Sequence, residues 1–480
     1  MQAAPGINFK AAAIITFVTL VTLAIALIFG LAAAFFPPLY IFILLAFLAF
    51  AVFAWKLPEY SALILMAGLA GIFPPEIVGH TATLIDISAL ILIVLIKYAR
   101  KHQQWRPSIR PLVWPFFFLI LLVAVGTARA LLYQSTPHNA VFNEIMPFLY
   151  WLLFPIIAIS LDSPKRLKYF IVVVFIMAVY IALGQIIQAL FQVQLFFGGR
   201  FEIAETLGRQ YSGVARSVTP GSFLLLFGLL TSVSFYIVKT QRILLLPLIA
   251  LIVVFVLGLV FTFGRTLMGT ALLVMLLMGF TLGAARVYKL VGVIALVGAL
   301  AIGGLAIVKP NIYYALADRV LSIGSEVKSG DSLNYRRIEN QVALKHIENS
   351  PLFGIGLGHD YRQGAVQKDV DVGARYIHNG YLYILLKLGL FTFLAYVWFY
   401  TAALIYARKT IQLVHSPYDK GVAAAIFALM LMPIITSLTR PEWMSPASTA
   451  MFAICVAILA AFRRHKAVNV SAIPTLHPAP

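Results

Sequence analysis

A histidine and an asparagine stand at the head of a long apolar run, "ARYIHNGYLYILLKLGLFT", over residues 374–392. A neutral imidazole such as His378 can take a proton from a hydroxyl group that comes within hydrogen-bonding reach. If His378 lies at or beside the N-cap of a helix, the positive end of the helix dipole and neighbouring arginines favour that neutral form. The position equally suits a helix cap or an interfacial anchor, as Tyr381 and Tyr383 could also be.

Arginines supply a second kind of chemistry. Arg265 sits in "FTFGRTLMG", a tight turn between two apolar runs, with no acidic residue within thirty positions on either side. A guanidinium there either snorkels to lipid phosphates or waits for an anionic ligand, whose phosphate oxygens it matches as a bidentate fork. Arg216, at the start of the next apolar run, fits the same reading, and Arg200 and Arg209 precede it in "GGRFEIAETLGRQYSGVARS". Arg336 and Arg337 are adjacent on an expected helix and point roughly 100° apart, so they cannot both face one ligand. One of them can pair with Glu339, Asp331 or a neighbouring loop. Gly354, Gly356 and Gly358 follow a helix and not a strand, which suits C-cap and turn duties better than a phosphate cradle.

Metal chemistry finds little support. The single cysteine, Cys455, lies in an apolar run; His80, His138 and His359 lack a ligand spacing, and the "DVD" at 369–371 has no further ligands nearby. No metal and no cofactor are expected.

These residues need a membrane scaffold to position them. With 62% hydrophobic and 11% charged residues in 480, the chain cannot cover a water-soluble globule with polar surface. Its apolar runs have the ~20-residue length of membrane helices and not the ~10-residue alternation of barrel strands. The fold class is therefore all-α, a polytopic transmembrane bundle of about 12–14 spans. Apolar runs fall at 11–33, 37–55, 60–75, 82–97, 111–132, 144–161, 168–191, 217–238, 243–263, 265–285, 288–308, 379–406, 421–439 and 446–462. The first reads as a retained helix and not a cleaved signal peptide.

The net charge of +19 reports on membrane sidedness here, and nucleic acid is not an expected partner. Alternate loops such as "DSPKRLK", "ARKT" and "RRHK" carry Lys/Arg clusters, which makes them cytoplasmic, with both termini. The expected plan has membrane helices over 1–308 with an external loop at 192–216. It continues with a large external loop with amphipathic helices at 309–378, C-terminal membrane helices at 379–464 and a disordered cytoplasmic tail at 465–480. In the large loop, "DSLNYRRIENQVALKHIENSP" reads as a helix with Tyr335, Ile338, Val342 and Ile347 near one face. The span midplanes are almost free of charge and show no internal repeat, unlike those of transporters.

Three stretches, "GRTLMG", "YRRIENQVALKHIENSPLFGIGLG" and "HNGYLYILLKLGLFT", resemble the O-antigen ligase and polymerase superfamily of bacterial envelope enzymes. In the last, nine residues separate His378-Asn379 from Gly389, and two more precede Thr392. The resemblance implies a membrane fold related to the C-type glycosyltransferases, with the active site on the periplasmic face of the inner membrane. The implied donor is O-antigen on undecaprenyl pyrophosphate, and the implied acceptor is a sugar hydroxyl of lipid A-core. Carried over, His378 is the motif histidine, Arg265 the turn arginine and Arg216 the second external arginine. Arg200, Arg209, Arg336 and Arg337 are further pyrophosphate candidates, and Asn379, Tyr381 and Gly389 support the site. A polymerase or a protein oligosaccharyltransferase would share most of these features.

Overall fold

The computed structural model describes residues 52–53, 56–72, 106–133, 136–203, 215–238, 245–283, 287–321, 331–362 and 375–471. The chain divides into units Met1–Leu57 and Pro58–Pro480, and the helices and strands named here belong to the second. The runs expected at 11–33 and 82–97, most of that at 37–55, Arg209, His80, "DVD" and residues 472–480 lie outside the described residues.

The described chain is a helical bundle. Its helices are α1 (Pro58–Leu69), α2 (Arg106–Tyr133), α3 (His138–Leu149) continuing through one 3-10 turn into α4 (Leu153–Ser160), and α5 (Pro164–Phe191). After a two-stranded hairpin of β1 (Arg200–Ile203) and β2 (Ala215–Val218) come α6 (Ser222–Val238), α7 (Leu245–Val260), α8 (Arg265–Leu282) and α9 (Val287–Val308). The helices α10 (Pro310–Leu321) and α11 (Asp331–Asn349) precede the last three, α12 (Gly380–Leu413), α13 (Pro417–Thr436) and α14 (Pro446–Ser471). Seven helical segments among the described residues are long and apolar enough to cross a membrane, and three shorter apolar ones accompany them.

Consecutive crossings reverse direction, so the bundle has two chemically distinct ends. One end gathers the β1–β2 hairpin, the Arg265 turn, α10, α11 and the start of α12; the other gathers the Lys/Arg clusters that follow α4 and that lie in the last turns of α12 and α14. At the first end, Ser217 N–H donates to Phe261 O at 3.5 Å, tying the hairpin to the turn before Arg265. Two buried glutamines of α5 hold the hairpin from below. Gln188 Oε1 accepts from Leu195 and Phe196 N–H at 2.6 and 2.7 Å, and the amide nitrogens of Gln185 and Gln188 both donate to Ser217.

The longest helix, α12, is broken at Gly389 with φ +75° and ψ −176°, a backbone region essentially reserved for glycine. The break frees carbonyls in a buried setting, where they need partners. The loop after α11 supplies them: Ile355 N–H donates to Leu386 O at 2.8 Å and Gly356 N–H to Lys387 O at 3.0 Å, while Leu390 N–H donates to Pro351 O at 2.9 Å. The two backbones approach so closely that a Cβ on Gly389 would lie 2.3 Å from Leu352 O, and one on Gly354 2.6 Å from Leu386 O. From α2, Arg129 Nη1 donates to the Phe353 and Gly354 carbonyls, both at 3.0 Å.

Candidate functional site

His378 precedes the first residue of α12 by two positions, and Asn379 is the N-cap. The Asn379 side chain accepts from Tyr381 and Leu382 N–H at 3.0 and 3.2 Å. Capping thus belongs to Asn379, and the His378 ring is committed elsewhere. Its Nδ1 lies 2.9 Å from Glu339 Oε2, which also accepts the His378 backbone N–H at 2.9 Å. Glu339 is fully buried, whereas the His378 side chain is 33% exposed. A carboxylate can only accept, so Nδ1 carries the proton in the neutral ring and the Nε2 lone pair is left for chemistry.

Glu339 is held in turn by Arg362, whose Nη2 lies 3.2 Å from Oε1. Arg362 Nη1 donates to Tyr335 Oη at 2.7 Å, and its guanidinium lies over the rings of Tyr335 and Tyr361. Tyr361 Oη donates to Tyr376 O at 2.9 Å, and Arg375 Nε pairs with Asp360 at 2.7 Å. Burial, and then the Glu339 charge, push the Tyr361 hydroxyl far above its ordinary value. Burial raises Tyr376 to about 12 against the opposing pull of Arg440. The rings of Tyr335 and Tyr376 meet the His378 imidazole edge to face at 6.2 and 4.9 Å.

The α11 face that makes these contacts differs from the apolar stripe expected from periodicity. Tyr335 and Ile338 are exposed, while Glu339 and Ala343 are fully buried and His346 Nε2 meets Tyr361 O at 2.9 Å. Residues 335, 339, 343 and 346 recur at helical spacing, but half of the stripe is polar, and hydrophobicity alone passes over it. Glu339 meets Arg362 and His378. Arg336 remains within electrostatic reach of Tyr376, as does Arg440 on the loop between α13 and α14.

Other expected residues take definite places. Arg265 is the first residue of α8, half-buried, after a turn in which Phe263 adopts φ +49° and Thr262 Oγ1 accepts Gly264 N–H at 3.1 Å. Phe261 and Phe263 pin that turn in a buried cluster with Ala189, Leu305 and Ile312. The backbone of Arg216 pairs across the hairpin with Glu202, and that of Arg200 with Val218. Arginine-bearing hairpin and turn thus adjoin, and α13, which packs against α8 and α12, links them to the histidine: Gly380 N–H donates to Ser437 O at 2.7 Å. Tyr381 Oη donates to Ile434 O at 2.6 Å. The N–H groups of Ile355, Gly356 and Gly358 are all bonded to protein acceptors, so this glycine run is a packing device and no phosphate cradle.

Sequence reading passed over a buried ion pair beneath the site. Lys387, fully buried on α12, donates to Glu144 Oε1 at 3.0 Å and to His359 O, while Glu144 Oε2 accepts Gly358 N–H at 2.7 Å. No group of three or more potential metal ligands assembles among the described residues.

Residues 250–397 match the family model described as O-Antigen ligase. The match begins in α7 and ends in α12, and so contains Arg265, Glu339, Arg362 and His378 together with the loop inserted at Gly389. That match supports a general function in glycan transfer. No curated protein matches the chain.

Proposed function

We propose that the protein is an O-antigen ligase, transferring O-antigen from undecaprenyl pyrophosphate to a sugar hydroxyl of lipid A-core at the periplasmic face of the bacterial inner membrane. The observation that carries this reading is the His378–Glu339 pair, 2.9 Å apart inside the O-antigen ligase segment.

In the proposed reaction the acceptor hydroxyl gives its proton to His378 Nε2 as its oxygen attacks the anomeric carbon. The bond from that carbon to the pyrophosphate oxygen breaks, undecaprenyl pyrophosphate leaves with the electron pair, and the configuration inverts. Glu339 holds the imidazole and stabilises the imidazolium that forms. Arg265 and Arg216 hold the pyrophosphate and offset its growing charge, with Arg200, Arg209 and one of Arg336 and Arg337 as further donors. Arg440 joins them on the strength of its nearness to Tyr376.

The test is a purified full-length protein given a polyprenyl-pyrophosphate-linked glycan and lipid A-core. Transfer to lipid A-core without chain growth is expected, and His378→Ala loses about 10²–10⁴-fold in rate. Lengthening of the polyprenyl-linked glycan would make the protein a polymerase, and transfer to protein an oligosaccharyltransferase; either result overturns the ligase reading.

A further inference from the structure

At the end of the bundle away from His378, the start of α5, the α12–α13 elbow and the last turns of α14 enclose a cavity of about 710 Å³. Its walls divide by chemistry. Leu167, Ile171 and Phe462 make an apolar side, while Lys168, His415, His465 and Lys466 bring nitrogens against one carboxyl group, Asp419. Lys466 Nζ lies 3.1 Å from His415 Nε2 and donates to Leu413 O. His465 Nε2 is buried with no hydrogen-bond partner among the described residues, an arrangement that natural proteins seldom leave uncompensated.

The helix start at this cavity points the same way. Ser416 precedes α13 without making a side-chain cap, Pro417 has no N–H to offer and Lys420 N–H is bonded to Ser416 O, which leaves the amides of Tyr418 and Asp419 at the helix start. Neighbouring arginines are already occupied: Arg463 donates to Thr410 Oγ1 and Tyr406 O, and Arg464 to Ala158 O. Among the described residues, the lysines lining the cavity are Lys168 and Lys466, beside an apolar wall at the end of membrane-crossing helices. That combination suits a phosphodiester with acyl chains attached better than a small soluble anion.

We infer that this cavity binds the headgroup phosphate of an anionic membrane phospholipid, clamping α5, the α12–α13 elbow and α14 together. Lys168 and Lys466 contact the phosphate, and the first acyl carbons lie along Leu167 and Ile171.

The experiment places the full-length protein in phosphatidylcholine nanodiscs with and without phosphatidylglycerol. Native mass spectrometry measures retained lipid, and thermal unfolding measures the accompanying shift. Phosphatidylglycerol is expected to be retained in preference and to raise the midpoint. Lys168→Gln and Lys466→Gln should each weaken retention roughly fivefold, the scale of one basic residue near an anionic surface. Lys165→Gln, a matched charge loss on α5 outside the cavity, should leave retention unchanged. Lys168 is exposed, so its variant tests the site even if Lys466→Gln folds poorly. Equal retention in Lys168→Gln and the unmodified protein overturns the proposal, as does a stabilisation that inorganic phosphate reproduces alone. Glycan transfer is not read in this experiment, so its outcome is independent of the ligase reading.

Discussion

Glu339 Oε2 accepts both the backbone N–H and the Nδ1–H of His378, each at 2.9 Å. One buried oxygen therefore fixes the main chain and the ring of the same residue, the two things that decide where Nε2 points. Glu339→Gln keeps an acceptor but removes the charge that stabilises an imidazolium. The rate of glycan transfer should fall about 10²-fold or more, with KM for the polyprenyl donor little changed because Glu339 does not reach it in the proposed reaction. Initial rates on protein with an unaltered unfolding midpoint check this, and a pure KM effect would contradict the assignment.

Gly389→Ala should disrupt the insertion of the loop into α12. The new Cβ would meet Leu352 O at 2.3 Å on a backbone with φ +75°, and such a conformation costs a non-glycine residue about 1–3 kcal/mol before any clash is counted. Gly269→Ala, where nothing lies within 4 Å, is the control and should be neutral or slightly stabilising. Thermal unfolding in detergent separates the two.

The Lys387–Glu144 pair should show strong non-additivity. Lys387→Met strands a carboxylate beneath the site, and removing one member of a buried pair typically costs about 3–5 kcal/mol. Adding Glu144→Gln should recover part of that loss, since the amide oxygen can still accept from Gly358 N–H. A double-variant loss equal to the sum of the two single losses would mean that the pair is not coupled. Denaturation midpoints of the four proteins in the cycle give the answer.

Alkaline pH should loosen the loop around His378. Burial raises the Tyr376 hydroxyl to about 12, whereas an unfolded tyrosine titrates near ~10. Between those values the unfolded chain binds fewer protons than the folded one. The stability that this group contributes is therefore complete below about pH 10 and is lost as pH rises through about 12. Tyr361 shifts in the same direction. Unfolding midpoints followed across this range should fall, and Tyr376→Phe, which keeps the backbone carbonyl that Tyr361 grips, should fall less steeply.

Much of this was legible in the chain. Apolar runs of membrane length gave the bundle, because a helix crossing lipid must satisfy its own backbone, and that requirement is written in local composition. The His378-Asn379 pair, the spacing to Gly389 and the lone Arg265 also stood out locally. On α11 the same signals grouped Ile338 with Val342 and Ile347; the structure packs the latter two against a buried cluster and leaves Ile338 exposed.

The sequence by itself determined the membrane class, the helical character of its spans and the histidine worth testing. Only the tertiary structure decided what that histidine does with its ring. Glu339 lies thirty-nine positions before His378, Arg362 reaches Glu339 across a loop, and Glu144 meets Lys387 from a helix more than two hundred positions earlier. Charge pairing at such separations leaves no periodic trace, because it depends on which faces meet after the helices pack. Gly389 joins the two levels: its type was visible in the sequence, but its reason is the backbone of residues 351–356 lying against it.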